Sequence, residues 1–208
     1  MFSCAPPAGG EEMIETYKPG GICLNAANFQ GKTKEQAKEM LAKFQSSSAY
    51  PLLTCCDEEG GTVTRISRFP EYRESPFQSP RDVYASGGME AVRKDTAEKA
   101  QLLKSLGINT NLAPVADLSD NPADFIYARS FGGDPEIVSE YIRISVETYK
   151  ENGVACVLKH FPGYGNNGDT HIGLAWDKRD YSEFETKDFL PFEAGFKAGA
   201  PIVLVNHN

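Results

Sequence analysis

Short, nearly unbroken apolar runs recur along this chain, separated by longer stretches whose apolar residues fall at helical spacing. The runs are Gly21–Leu24, 51–56, 108–113, 154–158 and Ile202–Val205. They are strand-sized and show no in/out alternation, the pattern of parallel strands covered on both faces. Between them, 33–46 puts Ala37, Met40, Leu41 and Phe44 on one helical face behind Thr33 as N-cap. The stretch 89–106 aligns Ala97, Ala100, Leu103 and Leu106 and ends at Gly107. Pro135–Glu151 aligns Ile137, Tyr141, Ile144 and Thr148, and 182–198 reads as a helix broken near Pro191. Such alternation gives the α/β class, as a barrel or a doubly wound sheet. Four of the strands stop at polar clusters: Asp57-Glu58-Glu59, Pro114 to Asp117, Lys159-His160 and Asn206-His207. The long connections 57–88, 114–134 and 159–181 all follow strand C-termini, while the returns shrink to Gly107 or Asn152-Gly153. Sites of (β/α) barrels are built from those loops, which favours the barrel.

A length of 208 residues fits one domain, taken as 1–208, and 40% apolar with 24% charged residues is ordinary globular usage. No stretch approaches the roughly 18–20 apolar residues of a membrane span. A net charge of −8 without Lys/Arg clusters argues against nucleic-acid or membrane partners, which need basic patches. Five cysteines without a C-x-x-C pair read as free thiols in a reducing compartment. Cys55 and Cys56, adjacent in a strand, are expected on opposite faces. Residues 1–10 hold neither a basic region nor an apolar run, so no leader is read there and a cytoplasmic location is expected.

The segment 159–171, Lys-His-Phe-Pro-Gly-Tyr-Gly-Asn-Asn-Gly-Asp-Thr-His, follows a strand directly and holds two of the three histidines. Its glycines allow backbone to approach a ligand. Asp169 and His171 are two residues apart, so in a turn the carboxylate can orient the imidazole as a general acid/base. The plainer alternative is a turn-capping Asp169 beside a surface His171. A metal site from His160, Asp169, His171 and His207 is conceivable, but no histidine pair at helical i, i+4 spacing supports it. No G-K-[S/T] follows the glycines, which weakens a phosphate cradle.

Lys159-His160-Phe161-Pro162-Gly163-x-Gly followed by Asp169-x-His171 resembles the hallmark loop of glycoside hydrolase family 3, in particular its bacterial β-N-acetylhexosaminidases that recycle cell-wall sugars. Three further segments are similar and stand in the family's order. They are Asp57-Glu58-Glu59-Gly60-Gly61 with Arg65, 107–117 (Gly-Ile-Asn-x-Asn-Leu-Ala-Pro-Val-x-Asp), and Arg129-Ser130-Phe131-Gly132. The resemblance implies a (β/α)8 TIM-type barrel acting on terminal β-linked N-acetylhexosamine residues by a retaining double displacement, without cofactor or metal. It implies that Asp57, Arg65, Arg129, Lys159 and His160 bind the sugar. It gives His171, oriented by Asp169, the acid/base role that a carboxylic acid fills in most retaining glycosidases.

Two departures stand out. Tyr164 replaces a second histidine found in many members. The family's nucleophilic aspartate follows its seventh strand, whereas about six strands are read here. Such barrels take about 250 residues. The barrel is therefore expected to be incomplete at both ends, with the nucleophile beyond residue 208 and the isolated chain inactive. A non-catalytic sugar-binding barrel and a metal-dependent hydrolase are the competing expectations.

Overall fold

A computed structural model describes residues 2–4 and 9–206. Its strands are β1 (Phe2–Cys4), β2 (Gly21–Leu24), β3 (Leu53–Cys56), β4 (Thr110–Asn111), β5 (Ala155–Phe161) and β6 (Ile202–Val205). All neighbours pair in parallel, and the spatial order is the sequence order, β1 to β6. A doubly wound sheet reverses direction at a switch point. No reversal occurs here, so the sheet curls one way with its crossover helices outside, as in a TIM-type barrel. These helices are α1 (Gly10–Tyr17), α2 (Ala26–Phe29), α3 (Lys34–Ser46), α4 (Pro80–Leu106), α5 (Pro135–Glu151), α6 (Tyr181–Glu183) and α7 (Phe189–Ala198).

Strand alternation assigns the two faces. Ile22, Leu24, Cys56, Cys156 and Leu158 join one apolar core with Leu41 and Phe44 of α3, Ala100 and Leu103 of α4, and Ile142 of α5. The intervening residues, Cys23, Cys55, Asp57, Val157 and Lys159, line the barrel interior. Cys55 and Cys56 are thus both buried, on opposite faces.

Local signals account for most element ends. Thr33 Oγ1 accepts from the Gln36 N–H at 3.3 Å, and Gln36 Oε1 accepts from the Thr33 N–H at 2.8 Å, a capping box. Gly107 closes α4 at φ 94°, a left-handed C-cap. Some expectations are corrected. α4 holds the expected helix from 89 and, before it, an unexpected segment that starts at Pro80, where Ser79 caps it and proline suits the first turn. Gly87 and Gly88, both non-helical, separate the two. The fourth strand shortens from 108–113 to Thr110–Asn111. The helix over 182–198 is not broken at Pro191. The helix runs on through a π-helical turn, Phe184–Asp188, into α7, and the irregularity lies in the turn before Pro191, which has no N–H to donate back into it. α1 and α2 were not expected from the periodicity; both are too short to show it. Among the described residues no helix is long and apolar enough to cross a membrane.

Candidate active site

The site starts from one consequence of the strand register. Asp57 directly follows β3 and Lys159 lies in β5, both on the inward face at the C-terminal ends of their strands. Lys159 Nζ donates to Asp57 Oδ1 at 2.7 Å and lies 2.6 Å from Glu59 Oε1. Glu59 also accepts two hydrogen bonds from Arg129, from Nε at 3.0 Å and Nη2 at 2.7 Å. Arg65 Nη2 adds a looser contact to Asp57 Oδ2 at 3.6 Å. Burial alone raises the Glu59 pKa, but the charges of Lys159 and Arg129 outweigh it and hold Glu59 at about 2. Burial likewise works to lower the Lys159 pKa, and Glu59 and Asp57 raise it, so the ammonium persists. Three cations and two carboxylates therefore form the floor, Lys159 and Glu59 buried and Asp57 and Arg65 partly exposed, held there by mutual pairing.

Glu58 explains how the following loop is shaped. Fully buried, it accepts the backbone N–H groups of Arg65 at 2.9 Å and Ile66 at 2.8 Å, together with the Ser67 hydroxyl. The role is that of a cap, but of a loop rather than a helix. It aims Arg65 at the pocket, where the buried Arg65 Nε has no hydrogen-bond partner. A buried unsatisfied donor in a pocket wall is suited to a ligand oxygen.

The two Asp–His pairs differ in a way that matters chemically. His160 Nδ1 stands 2.6 Å from Asp117 Oδ2, and its Nε2 stands 3.2 Å from Arg129 Nη2. A guanidinium only donates, so Nε2 accepts and Nδ1 carries the proton toward Asp117. Asp117 is fully buried and also accepts the N–H groups of His160 at 3.1 Å and Tyr164 at 2.8 Å. Both nitrogens of His160 are thus engaged within the protein. His171 Nδ1 stands 2.6 Å from Asp169 Oδ1, which also accepts the His171 N–H at 2.9 Å. The backbone bond, and then the ring, lower the Asp169 pKa. The His171 side chain is 70% exposed, and no hydrogen bond within the protein engages its Nε2 among the described residues.

Tyr164 and Arg179 hold the segment that carries His171. The buried Tyr164 hydroxyl accepts the Thr170 N–H at 2.9 Å, and its ring lies 5.4 Å from that of Phe125. Arg179 bonds Asp177, both oxygens of the buried Asp188 and the Gly163 carbonyl. Gly163 has φ 126°, and a Cβ there would stand 2.3 Å from Asp188 Oδ1, so only glycine fits.

Asp57, Arg65, Arg129, Lys159, His160 and His171 line one pocket of about 520 Å³ at the C-terminal end of the sheet. Asp169 stands behind His171. Of the residues expected to cluster at the strand ends, His207 lies outside the described residues. Glu59 and Asp117 were expected only as members of strand-end clusters, Tyr164 only as a departure from the family loop, and Arg179 not at all. Arg179 shares with His171 the spacing of two from an aspartate, the one sequence signal that could have marked it. Among the described residues no group of three His, Cys, Asp or Glu side chains is placed to hold a metal.

Residues 2–208 match the glycosyl hydrolase family 3 N-terminal domain. A β-hexosaminidase of Xanthomonas euvesicatoria is 36% identical over 194 residues, covering 90% of this chain and 56% of that protein. β-Hexosaminidase A of Pseudoalteromonas piscicida is 35% identical over 203 residues, covering 91% of this chain and 33% of its own length. The chain therefore spans about half or less of these relatives. Among solved structures, a family 3 β-N-acetylglucosaminidase from Paenibacillus superimposes with TM-score 0.85 at 26% identity, covering 98% of this chain and 40% of the other. NagZ from Neisseria gonorrhoeae, in complex with N-trifluoroacetyl-D-glucosamine, gives 0.84 at 26%, covering 100% and 63%.

Proposed function

The chain belongs to glycosyl hydrolase family 3, and from that premise we propose that it forms the sugar-binding and acid/base part of an enzyme removing terminal β-linked N-acetylhexosamine residues, N-acetylglucosamine above all, from cell-wall-type glycans. The observation that carries this is the pairing of His171 with Asp169 at a pocket lined by Asp57, Arg65, Arg129 and Lys159. Asp57 accepts sugar hydroxyl protons, while Lys159 and the free Nε of Arg65 donate to sugar oxygens. Arg129 holds Glu59 and His160 in place and presents its face to the pocket. His160 contributes shape and a fixed dipole, since its ring nitrogens are already engaged. The barrel domain is taken as the whole of 1–208, in a reducing, cytoplasmic setting in keeping with its free thiols.

In the retaining route, His171 gives a proton from Nε2 to the leaving oxygen and then takes one from water. Asp169 steadies the imidazolium through Nδ1. The local geometry favours His171 over His160 for this task, because Arg129 occupies the Nε2 of His160. The route also needs a carboxylate about 5–5.5 Å from the acid/base. Among the described residues, Asp57 is the one carboxylate lining the pocket, and Lys159 and Arg65 engage it. We therefore assign the nucleophile to a residue outside this chain, and expect the isolated chain to bind sugar without turning it over. That same observation favours the second reading, a non-catalytic sugar-binding barrel. An aryl N-acetyl-β-glucosaminide, assayed with and without chelator, separates the possibilities. We expect chelator-insensitive hydrolysis from a protein of the relatives' full length that contains this sequence. Loss of activity on chelation would indicate a metal-dependent hydrolase, and no hydrolysis despite N-acetylglucosamine binding would indicate a binding module.

A further inference from the structure

Below the charged floor, inside the barrel, two thiols face one another. Cys23 of β2 and Cys55 of β3 are register partners in adjacent parallel strands. Neighbouring strands run about 4.7–4.9 Å apart, within the about 4.4–6.8 Å of Cα separation that a disulfide spans. Cys56 and Cys156 have no cysteine as register partner and are buried on the opposite face, in the core between sheet and helices. Cys4 is the register partner of Cys23 on its other side.

We propose that Cys23 and Cys55 form a peroxide-sensitive modification site, in which Cys23 is oxidised first and Cys55 closes an interstrand disulfide beneath Asp57. Exposure separates the roles: Cys55 is 1% exposed, whereas Cys23 is only partly buried and within reach of a small oxidant. Charge separates them in the same sense. The Cys55 thiol donates to the Ile22 carbonyl at 3.4 Å, which turns its sulfur toward β2, and its nearness is the largest influence lowering the Cys23 pKa; burial and Asp57 oppose it, while Lys159 and Arg65 assist. The nearness of Cys23, and then burial, raise the pKa of Cys55. The pair thus has a more accessible sulfur whose thiol is the more readily ionised of the two and a buried neighbour, the polarity of an attacking and a resolving thiol.

The chemistry balances with one hydroperoxide. The Cys23 thiolate attacks the outer peroxide oxygen, the O–O bond breaks, and the alkoxide or hydroxide released takes up a proton. Cys23 is left as a sulfenic acid. The Cys55 sulfur then attacks the Cys23 sulfur, the S–O bond breaks, and water leaves. Overall, two thiols and one hydroperoxide give one disulfide, one alcohol (water when the oxidant is hydrogen peroxide) and one water.

The test uses a reduced protein of the relatives' full length that contains this sequence, exposed to hydrogen peroxide, quenched with N-ethylmaleimide and mapped by mass spectrometry without reduction. We expect an intramolecular peptide pair joining Cys23 to Cys55, reversed by dithiothreitol, with Cys23 lost at least about 10-fold faster than Cys156. That preference should vanish in concentrated urea. In Cys55→Ser, Cys23 should instead accumulate as a dimedone-labelled sulfenic acid. A Cys23 that retains its maleimide adduct, a Cys4–Cys23 bridge in place of Cys23–Cys55, or equal oxidation of all cysteines in the folded chain would overturn the assignment.

Discussion

Replacing Glu59 by Gln keeps the side chain's shape and removes one charge from the floor of the site. Lys159 Nζ, 2.6 Å from Glu59, then keeps its 2.7 Å contact to Asp57, while Arg129 Nη2, 2.7 Å from Glu59, keeps no carboxylate contact among the described residues. Breaking a buried pair by removing one partner costs about 3–5 kcal/mol. The pKa gives an independent magnitude. A carboxyl held at about 2 rather than its ordinary 4.5 contributes about 3 kcal/mol at neutral pH, at about 1.4 kcal/mol per pH unit. The sign follows from the depression. The stabilisation is fully present above 4.5 and is lost as the pH falls toward 2. Wild type and Glu59→Gln should therefore differ by about 3 kcal/mol at pH 7 and converge near pH 2. Urea unfolding followed by far-UV circular dichroism suits the measurement, because Trp176 is 80% exposed and is a poor fluorescent reporter of the core. A difference below about 1 kcal/mol at pH 7, or one that does not change with pH, would refute the reasoning.

Two further outcomes follow from the segment that carries His171. Arg179→Met leaves the buried Asp188 carboxylate unpaired and should cost about 3 kcal/mol, with faster amide hydrogen exchange confined to 163–180 and the start of the adjoining helix. Gly163→Ala meets both a φ of 126° and the Asp188 carboxylate, and should destabilise by about 1–3 kcal/mol, measured as a lowered Tm.

The parallel strands were legible because burial on both faces leaves continuous apolar runs, and five of the six were placed by them. β4 shrinks to Thr110–Asn111 for a reason the pattern contains but does not announce: buried Asn111 spends its side chain on Glu58 and Tyr149 rather than on packing. The helix after the non-helical Gly87-Gly88 was legible, whereas the segment of α4 before them was missed although Ser79-Pro80 is a helix-start signal. In the site, spacing alone pointed to Asp169 and His171, and the resemblance to Asp57, Arg65, Arg129, Lys159 and His160. The partners that hold them were not readable, since Glu59 meets Arg129 across 70 positions and Asp117 meets His160 across 43. Such pairings depend on how the sheet curls, which no local spacing encodes. The distinction between the two Asp–His pairs likewise rests on Arg129 lying over one of them.

The central claim is that His171 supplies the proton to the leaving group. It is tested most directly by comparing wild type with His171→Ala, in a protein of the relatives' full length that contains this sequence, on a series of aryl N-acetyl-β-glucosaminides with phenols of increasing pKa. General acid/base groups contribute about 10²–10⁴-fold. The account predicts a loss of that size in kcat for the poorest leaving groups, shrinking toward none for the most acidic phenols, with KM little changed. An equal loss across the series, or no loss on a poor leaving group, would contradict it.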